Sequence, residues 1–214
     1  MKMIKCPERK NTCKKCDLPE KDLEEIVAVL KAGELVVFPT DTLYGIGADP
    51  FNENSVKKVY MSKNRPFDIP LSIAVSNEKM MESVAVLNDN ARKLIRKFLP
   101  GALTVMLTKK PSLPDILTSG SNQIGIRIPD HPLALRLIDK FGPITSTSAN
   151  LHSHPDPVDV SIPVKDLKAH VKICVDCGRT KHAEPSTIVD VSDGAVEIIR
   201  KGVISQEEIE NALH

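Results

Sequence analysis

The chain has no tryptophan and only two tyrosines and five phenylalanines in 214 residues. With aromatics at 3%, the core must be built from Val, Ile, Leu and Ala, and a platform of aromatic rings for stacking bases is excluded. Charge of one sign is missing too. Lys and Arg number 29 against 28 Asp and Glu, a net charge of +1, so the chain as a whole carries no polyanion-binding signature. Long apolar runs are absent, which predicts no membrane span. The opening stretch MKMIKCPERKNTCKKCDLPEKD is basic but has no apolar centre, so it does not read as a secretory signal. A cytoplasmic location with reduced thiols is the resulting expectation. Familiar motifs are lacking as well. No Gly-Lys-Ser/Thr follows a glycine-rich turn, Gly45-Ile46-Gly47 lacks the third glycine of the dinucleotide fingerprint, and there is no metalloprotease helix or nucleophile elbow.

What is present is alternation. Residues 1–18 carry charge and cysteine without periodicity and read as an irregular arm; residues 19–214 read as a single domain. Leu23, Ile26, Val27 and Leu30 follow helical spacing, and Gly33 stands where a left-handed C-terminal residue belongs. ELVVFP reads as a buried strand, TDTLYGIGADP as a glycine-rich loop, ENSVKKVYMSK as a helix, PLSIAV as a strand and NDNARKLIRKFLPG as a helix. ALTVMLTK and IGIRIP follow as strands, then the helix HPLALRLIDKFG, the strand opening PITSTSAN, and three strands in VKICVDCG, STIVDVS and AVEIIRKG. Ser205 and Glu208 have capping-box spacing before a last helix. The class is α/β, or α+β with a mixed sheet.

Five groups of residues carry chemistry. Thr40, Asp41 and Thr42 follow a buried strand directly, where α/β folds place ligands, and Gly45 and Gly47 allow close backbone approach or positive φ. Lys63 and Arg65 precede Pro66; if that stretch is extended, both cations point one way, towards phosphates or a carboxylate. Arg127 interrupts the apolar strand around Ile124, Ile126 and Ile128, which is costly unless it is paired or faces a cavity. In PITSTSAN an extended backbone puts Ser146, Ser148 and Asn150 on one face, Thr145 and Thr147 on the other. That set suits phosphate, ribose or amino-acid recognition rather than acid/base work. Ser186 and Thr187 open a strand, and Arg200 interrupts IIRKG. Lys57 and Lys58, the group Arg92, Lys93, Arg96 and Lys97, and the pair Lys109 and Lys110 form basic clusters, read as solvated faces or as a local field for a phosphate. Cys13-Lys-Lys-Cys16 and Cys174-Val-Asp-Cys177 do not have compact zinc spacing; with Cys6 they read as independent thiols, and no structural metal is expected.

These blocks, in order, resemble the YrdC-like family of threonylcarbamoyl-AMP synthases. The resemblance rests on Pro39 to Gly45, Lys63 to Pro66, Pro100 to Thr104, Arg127 to Pro129, Ser148 to Asn150, Ser186 to Asp190 and Arg200 to Gly202, and covers roughly residues 20–205. It implies a twisted open mixed sheet with flanking helices and a basic concave cavity, without the additional C-terminal domain of the longer branch. It implies the conversion of L-threonine, bicarbonate and ATP to threonylcarbamoyl-AMP and pyrophosphate, with Mg²⁺. The product serves threonylcarbamoylation of adenosine 37 in tRNA by separate transfer machinery. Carried over by motif, Lys63, Arg65, Ser148 and Asn150 hold the phosphates and do the catalytic work. Thr40, Tyr44 and Arg65 serve threonine, and Arg127, Ser146, Thr187 and Arg200 line the nucleotide cavity. Two departures stand out: Ile-Pro-Leu replaces the commoner Asn-Pro-Leu, and no glycine precedes Ser186. The competing readings are a YciO-like module that binds double-stranded RNA or tRNA without this chemistry, and carbamoyl transfer to another acceptor.

Overall fold

The computed structural model describes residues 1–7 and 18–213. In chain order the elements are β1 (Lys2–Lys5), α1 (Glu20–Lys31), β2 (Leu35–Phe38), β3 (Gly45–Gly47), α2 (Glu53–Lys63), β4 (Ile73–Ala74), α3 (Glu78–Val84), β5 (Ala85–Val86) and α4 (Asp89–Phe98). Then come β6 (Leu103–Lys109), a 3-10 turn at Asp115–Thr118, β7 (Gln123–Arg127), α5 (Pro132–Phe141), β8 (Ile144–Thr145) and β9 (Thr147–Ser148). The chain continues with α6 (Ser161–Leu167), β10 (Val171–Asp176), β11 (Thr187–Asp190), β12 (Glu197–Arg200) and α7 (Gln206–Leu213).

Local sequence explains most boundaries. The apolar face of α1 buries Leu23, Ile26, Val27 and Leu30, each worth about 1.5–3 kcal/mol. It ends where Gly33 adopts φ +73°. Asn52, Asn77 and Asn88 cap α2, α3 and α4 by accepting backbone N–H groups. Before α7, the Glu208 carboxylate accepts from both the N–H and the hydroxyl of Ser205, the expected capping box.

The strands form two mixed sheets. One has the order β1-β10-β2-β3-β9; the other runs β12-β11-β6-β7-β4-β8, with β5 added to β6. β2 is buried on both faces, which is why its four residues read as a continuous apolar run. Val36 and Phe38 pack with α1 and α5, while Leu35 and Val37 face the larger core on the other side.

Three expectations are corrected. Lys2–Lys5 is an edge strand parallel to β10, not irregular chain; its alternation is too short to register as a period. Cys6 is disulfide-bonded rather than an independent reduced thiol, whereas Cys174 is free and buried and Cys177 is buried; Cys13 and Cys16 lie outside the described residues. Gly45 and Gly47 form a strand antiparallel to β2, with no positive φ at either. A Cβ at either glycine would sit 3.1 Å from a side-chain carbon, of Phe38 at Gly45 and of Val36 at Gly47. Both glycines therefore make room for packing on β2, and Gly45 also lines the cavity described below.

The crossing between the sheets matters most for function. β8 pairs with β4 in one sheet, and β9 pairs with β3 in the other. Ser146 alone separates them, its N–H donating 2.8 Å to Ser72 O. Near the far edge, Gly202 packs against the entry to β11: a Cβ there would stand 2.4 Å from Pro185 O and 2.6 Å from Thr187 N. Both are backbone atoms and cannot swing aside. Gly202→Ala is therefore expected to cost about 1–3 kcal/mol in urea denaturation; an unchanged midpoint contradicts this close approach.

Candidate active site

Where the chain passes from one sheet to the other lies a cavity of about 440 Å³, within the range of about 300–1,000 Å³ usual for small-molecule sites. Its walls come from the β2–β3 connection (Thr40, Thr42, Leu43, Tyr44), the segment after α2 (Arg65, Ile69, Pro70, Ser72) and the facing strands β6 and β7 (Thr104, Met106, Arg127). The crossing residues Ser146, Thr147 and Ser148 form another wall, and Ser186, Ile188, Ile199 and Arg200 close the far side.

Three arginines define its electrostatics. Arg65 donates through Nε to Ile69 O at 3.0 Å and through Nη2 to Pro70 O at 2.9 Å. Arg200 donates through Nη2 to Ser186 O at 2.8 Å and to its Oγ at 3.2 Å. Neither pairs with a carboxylate among the described residues. Burial lowers the pKa of both, and Arg200 is pushed down further by Arg127 and Arg65, with Asp156 acting the other way. Guanidinium groups keep their proton regardless, so this repulsion is relieved only by an anion.

Arg127 is differently placed. Its Nη2 meets Asp41 Oδ1 at 2.7 Å and Gly101 O at 3.0 Å, and its Nη1 donates to Thr42 Oγ1 at 2.5 Å. Burial lowers its pKa and Asp41 opposes that. Asp41 Oδ1 also accepts the Asp130 N–H at 3.1 Å, while Oδ2 and Arg127 Nε have no partner among the described residues. The middle residue of the Thr-Asp-Thr loop is thus the counter-ion that keeps a cation inside the β7 wall. Thr40 closes the turn locally, donating to Leu43 O at 2.6 Å.

The expectation that Lys63 and Arg65 lie on an extended stretch is corrected. Lys63 ends α2, and Asn64 turns the chain through a left-handed residue (φ 48°). The two side chains diverge. Arg65 enters the cavity. Lys63 lies behind its wall, 1% exposed, donating to Ser148 O, to Asn150 O at 2.6 Å and to Asn150 Oδ1 at 3.1 Å. Burial pulls its pKa down to about 7; the three oxygen acceptors favour the ammonium and oppose that pull.

The crossing segment sorts likewise. Ser146 and Ser148 line the cavity and Asn150 does not. Ser148 donates its hydroxyl proton to Asn150 Oδ1 at 2.7 Å, so a phosphate oxygen competes for it. Thr145 serves the fold, donating to Ile46 O at 2.9 Å, whereas Thr147 lines the cavity. Tyr44 reaches the cavity with its ring, but its hydroxyl donates to Gly178 O and accepts from Cys177 N. Thr187 faces away, donating to Ile204 O at 2.7 Å; Ser186, its neighbour, is the lining residue, 2.7 Å from Thr104 Oγ1. Of the residues singled out from sequence, the cavity brings together Thr40, Tyr44, Arg65, Arg127, Ser146, Ser148 and Arg200; Lys63, Asn150 and Thr187 stand behind it.

Sequence reasoning placed Thr104 and Ser186 inside its motifs but chose Thr187 rather than Ser186 as the site residue and did not choose Thr104, and it missed Met106 and Asp156. Strand alternation says that one of Ser186 and Thr187 faces the ligand, but not which. Asp156 carried no periodic signal at all. Among the described residues no group of three His, Cys, Asp or Glu is arranged to hold a metal ion, and no helix is long and apolar enough to cross a membrane.

Fold and site together define a class: an α/β protein with a cation-lined cavity set at the junction of two sheets. The Sua5/YciO/YrdC domain profile, described as telomere recombination, matches residues 28–202, and the chain belongs to that family. It is 41% identical over 197 residues to a provisionally named threonylcarbamoyl-AMP synthase of Methanocaldococcus jannaschii, covering 90% of this chain and 93% of that protein. It is 38% identical over 191 residues to the threonylcarbamoyl-AMP synthase of Bacillus subtilis, covering 88% of this chain and 55% of that one. The crystal structure of Pyrococcus abyssi Sua5 complexed with L-threonine superposes with a TM-score of 0.92 at 31% identity, covering all of this chain and 61% of that one.

The buried pair yields a stability prediction. Asp41→Ala leaves the Arg127 charge uncompensated and is expected to cost about 3–5 kcal/mol by urea denaturation. Adding Arg127→Met should recover most of that loss, whereas additive costs contradict the pairing.

Proposed function

We propose that this chain is a threonylcarbamoyl-AMP synthase, which joins L-threonine, bicarbonate and ATP and releases pyrophosphate. The observation that carries the reading is the arginine pair Arg65 and Arg200, paired with no carboxylate among the described residues and both lining a hydroxyl-rich cavity, in a member of this family. The threonine amine adds to the bicarbonate carbon with loss of water. An oxygen of the resulting carbamate then attacks the α-phosphorus in line, and pyrophosphate leaves with the bonding pair. Such a transfer needs placement and charge neutralisation rather than a dedicated base.

Arg65 and Arg200 would take the phosphates, with donors from Ser146 and, after its proton leaves Asn150, Ser148. Arg127, occupied by Asp41 and Thr42, supplies field rather than direct contact. Thr40 and the Tyr44 ring stand nearest for the threonine end. Lys63 and Asn150 would act by holding the Ser148 wall, and Thr187 by holding the start of β11. Among the described residues the wall offers one carboxylate and many hydroxyls, which fits Mg²⁺ arriving on the nucleotide's phosphates rather than in a protein cage. The product would pass to separate machinery that modifies tRNA, in the cytoplasm. The RNA-binding alternative has less support. Its basic clusters are partly neutralised: Lys58 by Glu34, and Arg92 by Glu78 and Glu82.

The test is pyrophosphate release from the purified chain, expected only when all three substrates are present. Arg200→Ala should raise the KM for ATP by about tenfold or more, the loss of a charge-assisted bond, with little change in thermal stability. Release from ATP alone, or none with all three, overturns the reading.

A further inference from the structure

The proposed substrate threonine carries a positive charge of its own, and a cavity of three arginines repels it. Among the described residues, Asp156 is the one carboxylate in the cavity wall. It is exposed to solvent, and among the described residues no hydrogen bond or ion pair engages its side chain. It stands close enough to Arg200 to raise that group's pKa, yet no ion pair joins the two among the described residues, so its oxygens keep acceptor capacity for a second cation.

Its placement is specified rather than accidental. Pro155 and Pro157 flank it, restricting the backbone on both sides. Asn150 donates from Nδ2 to His154 O at 2.8 Å and to Pro155 O at 3.1 Å. The Tyr44 N–H donates to Pro157 O at 2.9 Å, and Thr180 N–H to Val158 O at 2.8 Å. Asn150 is in turn gripped by the Lys63 ammonium. Residues behind the wall thus hold the turn that carries Asp156 to the rim, beside Tyr44.

We propose that Asp156 recognises the α-ammonium group of the amino-acid substrate, so that the cavity admits an α-amino acid rather than a hydroxy acid, with Lys63 and Asn150 acting as its positioning residues. The inference rests on the synthase reading above. It gives the substrate's ammonium an anionic partner in Asp156, opposite in sign to the arginines that take the phosphates.

The test uses the full chain with saturating Mg-ATP and no bicarbonate, so that nothing turns over. Calorimetry compares L-threonine with 3-hydroxybutyrate, the same molecule without the ammonium. Wild type should prefer L-threonine by about tenfold or more, the scale of one charge-assisted hydrogen bond. Asp156→Asn should weaken threonine by a similar factor and erase most of that preference, with ATP affinity equal or tighter; Asp156→Glu should restore part of it. Unchanged threonine affinity in Asp156→Asn overturns the assignment. So does a loss of Mg²⁺-dependent ATP binding with threonine unaffected, which makes Asp156 a metal ligand. A wild type that binds no L-threonine overturns the synthase reading as well.

Discussion

The site depends on one buried ammonium. Lys63 closes α2 and spends its donors on the carbonyls of Ser148 and Asn150 and the Asn150 side chain. Charge-assisted hydrogen bonds of this kind are worth about 1.5–3 kcal/mol each, and a buried charge without them costs several. The contact therefore fixes the geometry of the segment where the chain leaves one sheet for the other. From there the order passes outward: Asn150 holds the 154–155 turn, Tyr44 holds 157, and Ser146 and Ser148 face the cavity.

This separates two kinds of cation that look alike in sequence. Lys63 and Arg127 are spent within the protein, one on carbonyls and one on Asp41. Among the described residues, Arg65 and Arg200 are hydrogen-bonded only to neutral carbonyl and hydroxyl groups, so their charge remains available to a ligand. The pKa of Arg200 is lowered by burial first, then by Arg127 and, to a lesser degree, by Arg65. An incoming polyphosphate relieves that repulsion, and this preorganised strain favours the charged nucleotide over a neutral ligand.

Much of the fold was legible from spacing. The α1 stripe, the run of β2, the Ser205 capping box and the strands β6, β7 and β11 follow directly from local chemistry. The second sheet was not legible, because β8 and β9 are two residues each and a single serine redirects the chain between them. Arg127 was rightly suspected from its cost in an apolar strand, but its partner, 86 residues away, cannot be read from spacing. The Lys63–Arg65 pairing failed because Asn64 takes a left-handed turn, which overrides the extended bias before Pro66. Asp156 was invisible, since its role arises only from a turn pinned by distant side chains.

The central claim is that this cavity joins a carbamoylated amino acid to AMP. Mass spectrometry of the products formed from isotopically labelled bicarbonate, L-threonine and ATP tests it most directly. The account predicts an adenylate carrying threonine with the label in its carbamoyl carbon. Unlabelled AMP or ADP as the only nucleotide products would contradict it.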